Sequence, residues 1–132
     1  MSIEIIKQKI RSNKSSIMNL AGCGIDTSHL LIISKCLMAN KNISSLNLRH
    51  NSIKDEGLLI LQDILLKNKN IIKVNIKSNF IKDGSSELLL KLIDKACLTE
   101  LLITYNSISK INQDKIRKRL EINCRIRSRR TS

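Results

Sequence analysis

The sequence predicts an α/β protein, a short solenoid whose strand–helix units stack side by side in a right-handed β/α horseshoe arc. A parallel sheet is expected on its concave face and helices on its convex face. Three observations predict it. The segment Ile43–Ile53 recurs as Ile71–Ile81 and Leu98–Ile108, with a weaker copy at Ser15–Ile25, at spacings of 28, 28 and 27 residues. Inside each copy the apolar residues alternate: Met18 and Leu20, Leu46 and Leu48, Val74 and Ile76, Leu101 and Ile103. Alternation places each pair on one face of a short strand. After each copy the apolar spacing turns helical: Leu30, Ile33 and Leu37; Leu58, Leu61 and Leu65; Leu89 and Ile93; Ile116 and Leu120.

These elements arrange the chain as one domain over residues 1–132. An N-terminal helical cap occupies 1–14, where Ile3, Ile6 and Ile10 fall at helical spacing and Lys7, Lys9 and Arg11 face outward. Repeats follow at 15–42, 43–70, 71–97 and 98–125, and 126–132 is a basic tail. A last helix is expected over about 110–123, with Ile111, Ile116 and Leu120 on its buried side. Ile126 stands where a fifth strand would start, but Arg127-Ser128-Arg129-Arg130 follow it and a charged end results. The third unit is one residue short, and the deletion belongs in its helix or its helix-to-strand turn. No unit can bury its apolar face alone, so stacked neighbours must share one core. With no Trp and one Phe and one Tyr, that core is aliphatic.

The shared pattern is apolar-x-x-Leu-x-Leu-x-x-Asn/Cys-x-Ile, carried by Leu46, Leu48, Asn51 and Ile53 and their counterparts. It resembles the leucine-rich repeat, and the period and helical second half resemble its ribonuclease-inhibitor-like subclass. The resemblance covers about residues 15–126. It implies that the amides of Asn51, Asn79 and Asn106 satisfy backbone groups where the chain leaves the strand, with Cys23 taking that column in the first unit. It also implies a protein-binding scaffold, since repeats of this class occur in tropomodulin-like actin regulators and in Ran GTPase-activating proteins.

The formal net charge is +13. Residues 109–132 carry nine basic and two acidic side chains, more than half of the excess. Lys115, Lys118, Arg119, Arg125, Arg127, Arg129 and Arg130 are therefore candidates for contact with phosphates or an acidic protein surface. A scarcity of rings argues against single-stranded nucleic acid, which stacks on aromatic platforms.

Strand residues that point away from the core form rows across the units. One row is Asn19, Asn47, Asn75 and Leu102; its neighbour is Ala21, Arg49, Lys77 and Thr104. Asn47, Arg49, Lys73, Asn75 and Lys77 make a polar, basic candidate surface on the concave face, with Leu102 and Tyr105 as its apolar anchor. Stacked Asn side chains that bond one another and solvate the sheet are the competing reading of the row. Asp55, Glu56 and Asp83 recur near helix starts, which reads as capping.

No nucleophile elbow, phosphate-binding glycine loop or paired His spacing is present. Cys23, Cys36, Cys97 and Cys124 lack zinc spacing and read as free thiols of an intracellular protein. Neither a membrane segment nor a leader is visible. The expected function is a non-catalytic protein-interaction or scaffold module, a small subunit of a larger intracellular assembly. The expected partner is a protein with an acidic surface; no cofactor, metal, membrane or small-molecule substrate is implied. The alternative is a structural component of a ribonucleoprotein such as a ribosome, contacting RNA through the C-terminal basic residues.

Overall fold

The computed structural model describes residues 2–131, the side chains of residues 130 and 131 excepted. Helix α1 (Ile3–Ser12) precedes a series of short strands and helices: β1 (Ile17–Asn19), α2 (Thr27–Ala39), β2 (Ser45–Asn47), α3 (Gly57–Lys67), β3 (Lys73–Asn75), α4 (Ser86–Lys95), β4 (Glu100–Leu102) and α5 (Lys110–Thr131). The four strands form one parallel sheet in the order β1-β2-β3-β4. Its register follows the sequence repeat: Met18 lies beside Leu46, Leu46 beside Val74 and Val74 beside Leu101. Past each strand the chains touch again, at Asp26 with Ser52, Lys54 with Phe80 and Lys82 with Ser107.

Alternation decides what the strands bury. Leu46, Leu48, Val74 and Ile76 point into a layer filled by Leu30, Ile33, Leu58, Leu61, Leu89 and Ile93, all buried in one continuous aliphatic core. Ile6 and Ile10 of α1 close that core at one end and Ile116 of α5 at the other.

Three columns of polar side chains pin neighbouring units together. In the first, Asn51 Nδ2 donates to the Leu48 carbonyl of its own unit and to the Leu20 carbonyl of the preceding one, both at 2.9 Å. Its Oδ1 accepts from the Cys23 and Ile25 amides at 3.1 and 2.9 Å. Asn79 repeats this with the Leu48 and Ile76 carbonyls and the Ile53 amide. Asn106 does so with Ile76, Ile103 and the Ile81 amide. Each amide thus satisfies groups of two units at once, groups that would cost about 1–3 kcal/mol each if buried unpaired.

The second column lies at the helix ends. Asn40 Nδ2 donates to the Ile10 and Asn13 carbonyls, and Asn68 Nδ2 to those of Leu37 and Asn40. The third unit has Ala96 there, and its missing residue falls in the turn that follows: Ala96 and Leu98 are separated by Cys97 alone, where the earlier units have Lys41-Asn42 and Lys69-Asn70. One unit on, Arg127 donates back to the third unit, from Nη1 to the Ala96 carbonyl at 3.2 Å, as Asn68 does to the Asn40 carbonyl, and from Nη2 to the Leu98 carbonyl.

The third column is Thr27, Asp55 and Asp83, which accept from the Lys54, Lys82 and Ser109 amides of the following unit. Asp55 and Asp83 therefore join units, and the expectation that they cap their own helices is corrected. Glu56 makes no side-chain cap bond on α3. Asp26 does cap α2: its Oδ1 accepts from the His29 amide at 2.8 Å, and His29 Nδ1 accepts from the Asp26 amide. These bonds hold the Asp26 carboxyl below its ordinary range, chiefly through the His29 amide. Asp83 is lowered likewise, first by the Asn112 side chain and then by Ser109.

The C-terminal end departs from the sequence reading. In place of a helix over 110–123 and a tail over 126–132, α5 runs on through Thr131. Lys110–Thr131 contains neither Gly nor Pro, so nothing local ends the helix. Ser132 lies outside the described residues.

Candidate functional site

Two surfaces collect the residues that the sequence singled out. The first is the outward face of the sheet. Lys73 is exposed there, and Asn47, Asn75, Lys77, Arg49 and Leu102 are half-buried. The Asn row does less for a partner than its stacking implies. Asn19, Asn47 and Asn75 each accept, through Oδ1, the amide two residues on, those of Ala21, Arg49 and Lys77. These local bonds finish the strands and start the turns. Only Asn47 reaches along the row, to Asn19 Oδ1 at 3.3 Å. Arg49 Nε is buried without a hydrogen-bond partner. Tyr105 stands on the rim beyond β4, 74 % exposed. Its φ is +59°, in the column that Gly22, His50 and Ser78 also hold in the left-handed region.

The second surface is α5. The structure separates the basic residues into two groups. Arg119 turns back to Asp94 at 2.7 Å, and Arg127 bonds the end of the α4 unit. Both brace the fold. Lys115, Lys118, Arg125 and Arg129 are exposed. At about 100° per residue they fall in an arc about 80° wide. The side chain of Arg130 lies outside the described residues.

Apolar residues occupy the same arc. Ile111, Ile122 and Ile126 are 71 %, 50 % and 43 % exposed. Ile111 is therefore not on the buried side with Ile116, and Ile126 opens no strand. The sequence carries the signal as a helical period through Ile111, Lys115, Lys118, Ile122, Arg125, Ile126 and Arg129. Ending the helix at 123 hides it. The arrangement is a stripe of aliphatic patches between long cations, able to cover an apolar and acidic partner surface. Among the described residues no group of His, Cys, Asp and Glu could hold a metal ion, and all four cysteines are free thiols. No described helix is long and apolar enough to cross a membrane.

No protein-family model and no curated protein matches the sequence. Solved structures do match. The chain is similar to the structure of leiomodin-1 actin-binding site 2, with a TM-score of 0.79 at 21 % identity, covering 99 % of this chain and 79 % of that one. It is also similar to the tropomodulin C-terminal domain from Caenorhabditis elegans, with a TM-score of 0.62 at 16 % identity over 99 % of both chains. At these identities the likeness is one of fold. It replaces the assignment to the ribonuclease-inhibitor-like leucine-rich-repeat proteins: the matching structures are tropomodulin and leiomodin domains of a small α/β fold. A repeat's period and its strand signature are local properties, and they do not distinguish between families that stack similar units.

Proposed function

We propose that this chain is a non-catalytic protein-binding module, a single repeat solenoid over residues 1–132 that docks an acidic partner along α5. The observation that carries the reading is the exposed stripe of Ile111, Ile122 and Ile126 between Lys115, Lys118 and Arg125. Exposed aliphatic residues on a helix whose other face is packed have no use within the chain. Interfaces combine such apolar centres with Arg and a charged rim. The outward sheet face, with Lys73, Lys77, Leu102 and Tyr105, serves as a second contact area. Four free thiols suit a reducing, intracellular setting. One of the similar structures is an actin-binding site of leiomodin-1, so actin is the first partner to test.

The test is co-sedimentation with filamentous actin and fluorescence anisotropy with monomeric actin, at two salt concentrations. The full chain is expected to bind, with affinity falling as salt rises. Combined Lys115→Glu, Lys118→Glu and Arg125→Glu should weaken binding at least about tenfold. Ile122→Ser alone should cost about threefold to tenfold, the range of a peripheral apolar contact. These positions are exposed, so circular dichroism melts should stay unchanged. Binding that survives the charge reversals would overturn the assignment of the site. Equal binding of a homopolymeric RNA would overturn protein as the ligand class, because a helix with no ring between its cations should have no preference for bases.

A further inference from the structure

We propose that the outer edge of β4 is a strand-acceptor site, which takes an extended peptide from a partner protein with alternating apolar residues and a basic residue opposite Glu100. The site is separate from the α5 stripe, and the inference stands whatever binds that stripe.

The geometry of the ladder shows which groups are open. The Leu102 carbonyl accepts the Ile76 amide at 2.9 Å, so the backbone groups of Glu100 and Leu102 point toward β3. Those of Leu101 and Ile103, which alternate with them, point the other way. The Ile103 carbonyl is taken by Asn106 Nδ2 at 3.0 Å. The Leu101 amide, the Leu101 carbonyl and the Ile103 amide make no hydrogen bond among the described residues. They border a groove of about 570 Å³ between β4 and α5. Its floor is aliphatic, made by Leu101, Ile103, Ile116 and Leu120. A fifth strand would lie there, continuing the inward rows of Leu46-Val74-Leu101 and Leu48-Ile76-Ile103. In its absence Leu101 and Ile103 are each 7 % exposed, against 1 % for Val74 and Ile76.

The opposite edge shows that the opening is particular to β4. On β1 the Ile17 amide donates to Ser15 Oγ at 3.1 Å, and the Ile17 carbonyl accepts from Asn13 Nδ2 at 3.3 Å. The Asn19 carbonyl accepts from Lys9 Nζ at 2.9 Å. Side chains thus cover the outward groups of Ile17 and the Asn19 carbonyl, leaving only the Asn19 amide, a usual protection against strand addition. At β4 they stop short: Arg127 and Cys124 reach Leu98, ahead of the strand, and nothing reaches Leu101.

Charge specifies the occupant. Within a chain of net charge +13, this groove carries Glu100, Asp114 and Glu121 against Lys77 and Arg117. Arg117 is held between Glu121 at 3.0 Å and Asp114 at 4.0 Å. Glu100 makes no ion pair among the described residues. A strand added beside β4 sets one side chain directly opposite Glu100, where Lys or Arg is favoured and Glu disfavoured. Its alternate side chains turn down onto Ile116 and Leu120. Main-chain bonds would give affinity and these two positions selectivity, as in other strand additions.

The probe is a blocked peptide alternating valine and lysine over about six residues, the usual strand length. It is added to the full chain while backbone amide resonances and hydrogen exchange are followed. Exchange at Leu101 and Ile103 should slow at least about tenfold at saturation, with the amides of β1 unmoved. The same peptide N-methylated at alternate residues should not bind. A valine–glutamate peptide should bind about threefold to tenfold more weakly, and Glu100→Lys, an exposed change, should reverse that order. Shifts confined to the outward face of α5, or binding indifferent to N-methylation, would overturn the proposal. So would sedimentation showing that a second copy occupies the edge in the absence of peptide.

Discussion

The two ends of the sheet solve one problem in different ways. At β1 the chain approaches from α1 and lays Asn13 and Lys9 across the strand's outer carbonyls, while Ile6 and Ile10 close the core. At β4 the chain leaves through a long helix. α5 packs Ile116 against the core but spends Arg119 on Asp94 and Arg127 on the end of the α4 unit. Of the strand edge itself, only the Ile103 carbonyl is covered, by Asn106. A stack of repeats needs its apolar interior covered at both ends, and both caps do so. Covering the backbone edge is a separate requirement, met more fully at the N-terminal end.

The sharpest way to probe this contrast is through the Asn column. Asn79→Ala would leave the Ile53 amide unpaired inside the stack and take one of two amide donors from each of the Leu48 and Ile76 carbonyls, which keep Asn51 and Asn106. About 3 kcal/mol should be lost, read from urea unfolding. Asn106→Ala removes equivalent bonds at the open end, where the residue is half-buried and water can replace it. About 1.5 kcal/mol is expected. Equal losses would mean that the C-terminal end is as closed as the interior.

A smaller effect should come from opening the sealed edge. Lys9→Ala with Asn13→Ala uncovers the Ser15, Ile17 and Asn19 carbonyls. About 1 kcal/mol should be lost, and association that grows with concentration should appear in sedimentation velocity. A double variant that stays monomeric and fully stable would show that the side-chain seal is incidental.

The mildest test is acid. The Asp83 carboxyl is lowered by Asn112 and Ser109, both at the start of α5, so its contribution is complete above the ordinary aspartate range. It fades as pH falls through the lowered value. The melting-temperature difference between the wild type and Asp83→Asn should therefore hold constant from neutral pH downward and close only in strong acid. Asp26→Asn should follow the same course, since the His29 amide lowers that carboxyl also. Amide exchange in α5 should quicken for Asp83→Asn alone, because Asp26 bonds within its own helix start. A difference that closes already near neutral pH would contradict the assigned bonds.

Much of the architecture can be read from the chain itself. Alternation at Leu46 and Leu48, then helical spacing at Leu58, Leu61 and Leu65, is a local record of which side of each element meets the core. Repetition near 28 residues carries the register, which is why Met18, Leu46, Val74 and Leu101 line up across the sheet. The family assignment did not carry over, because the same local record serves more than one group of proteins.

Other properties had to wait for the stack. That Asn40, Asp55 and Asp83 bond their neighbours is a relation between units, and propensity along one unit has no term for it. That Arg127 faces inward while Lys118 faces solvent depends on where α5 crosses α4. The open Leu101 edge is the plainest case. Its amide is chemically identical to that of Val74, and it is unpaired because no further strand lies beside it among the described residues. Short-range patterning decides what each segment becomes, because backbone sterics and side-chain periodicity act within a few residues. Surfaces and unsatisfied groups are settled by what finally packs beside them, which is a property of the folded whole.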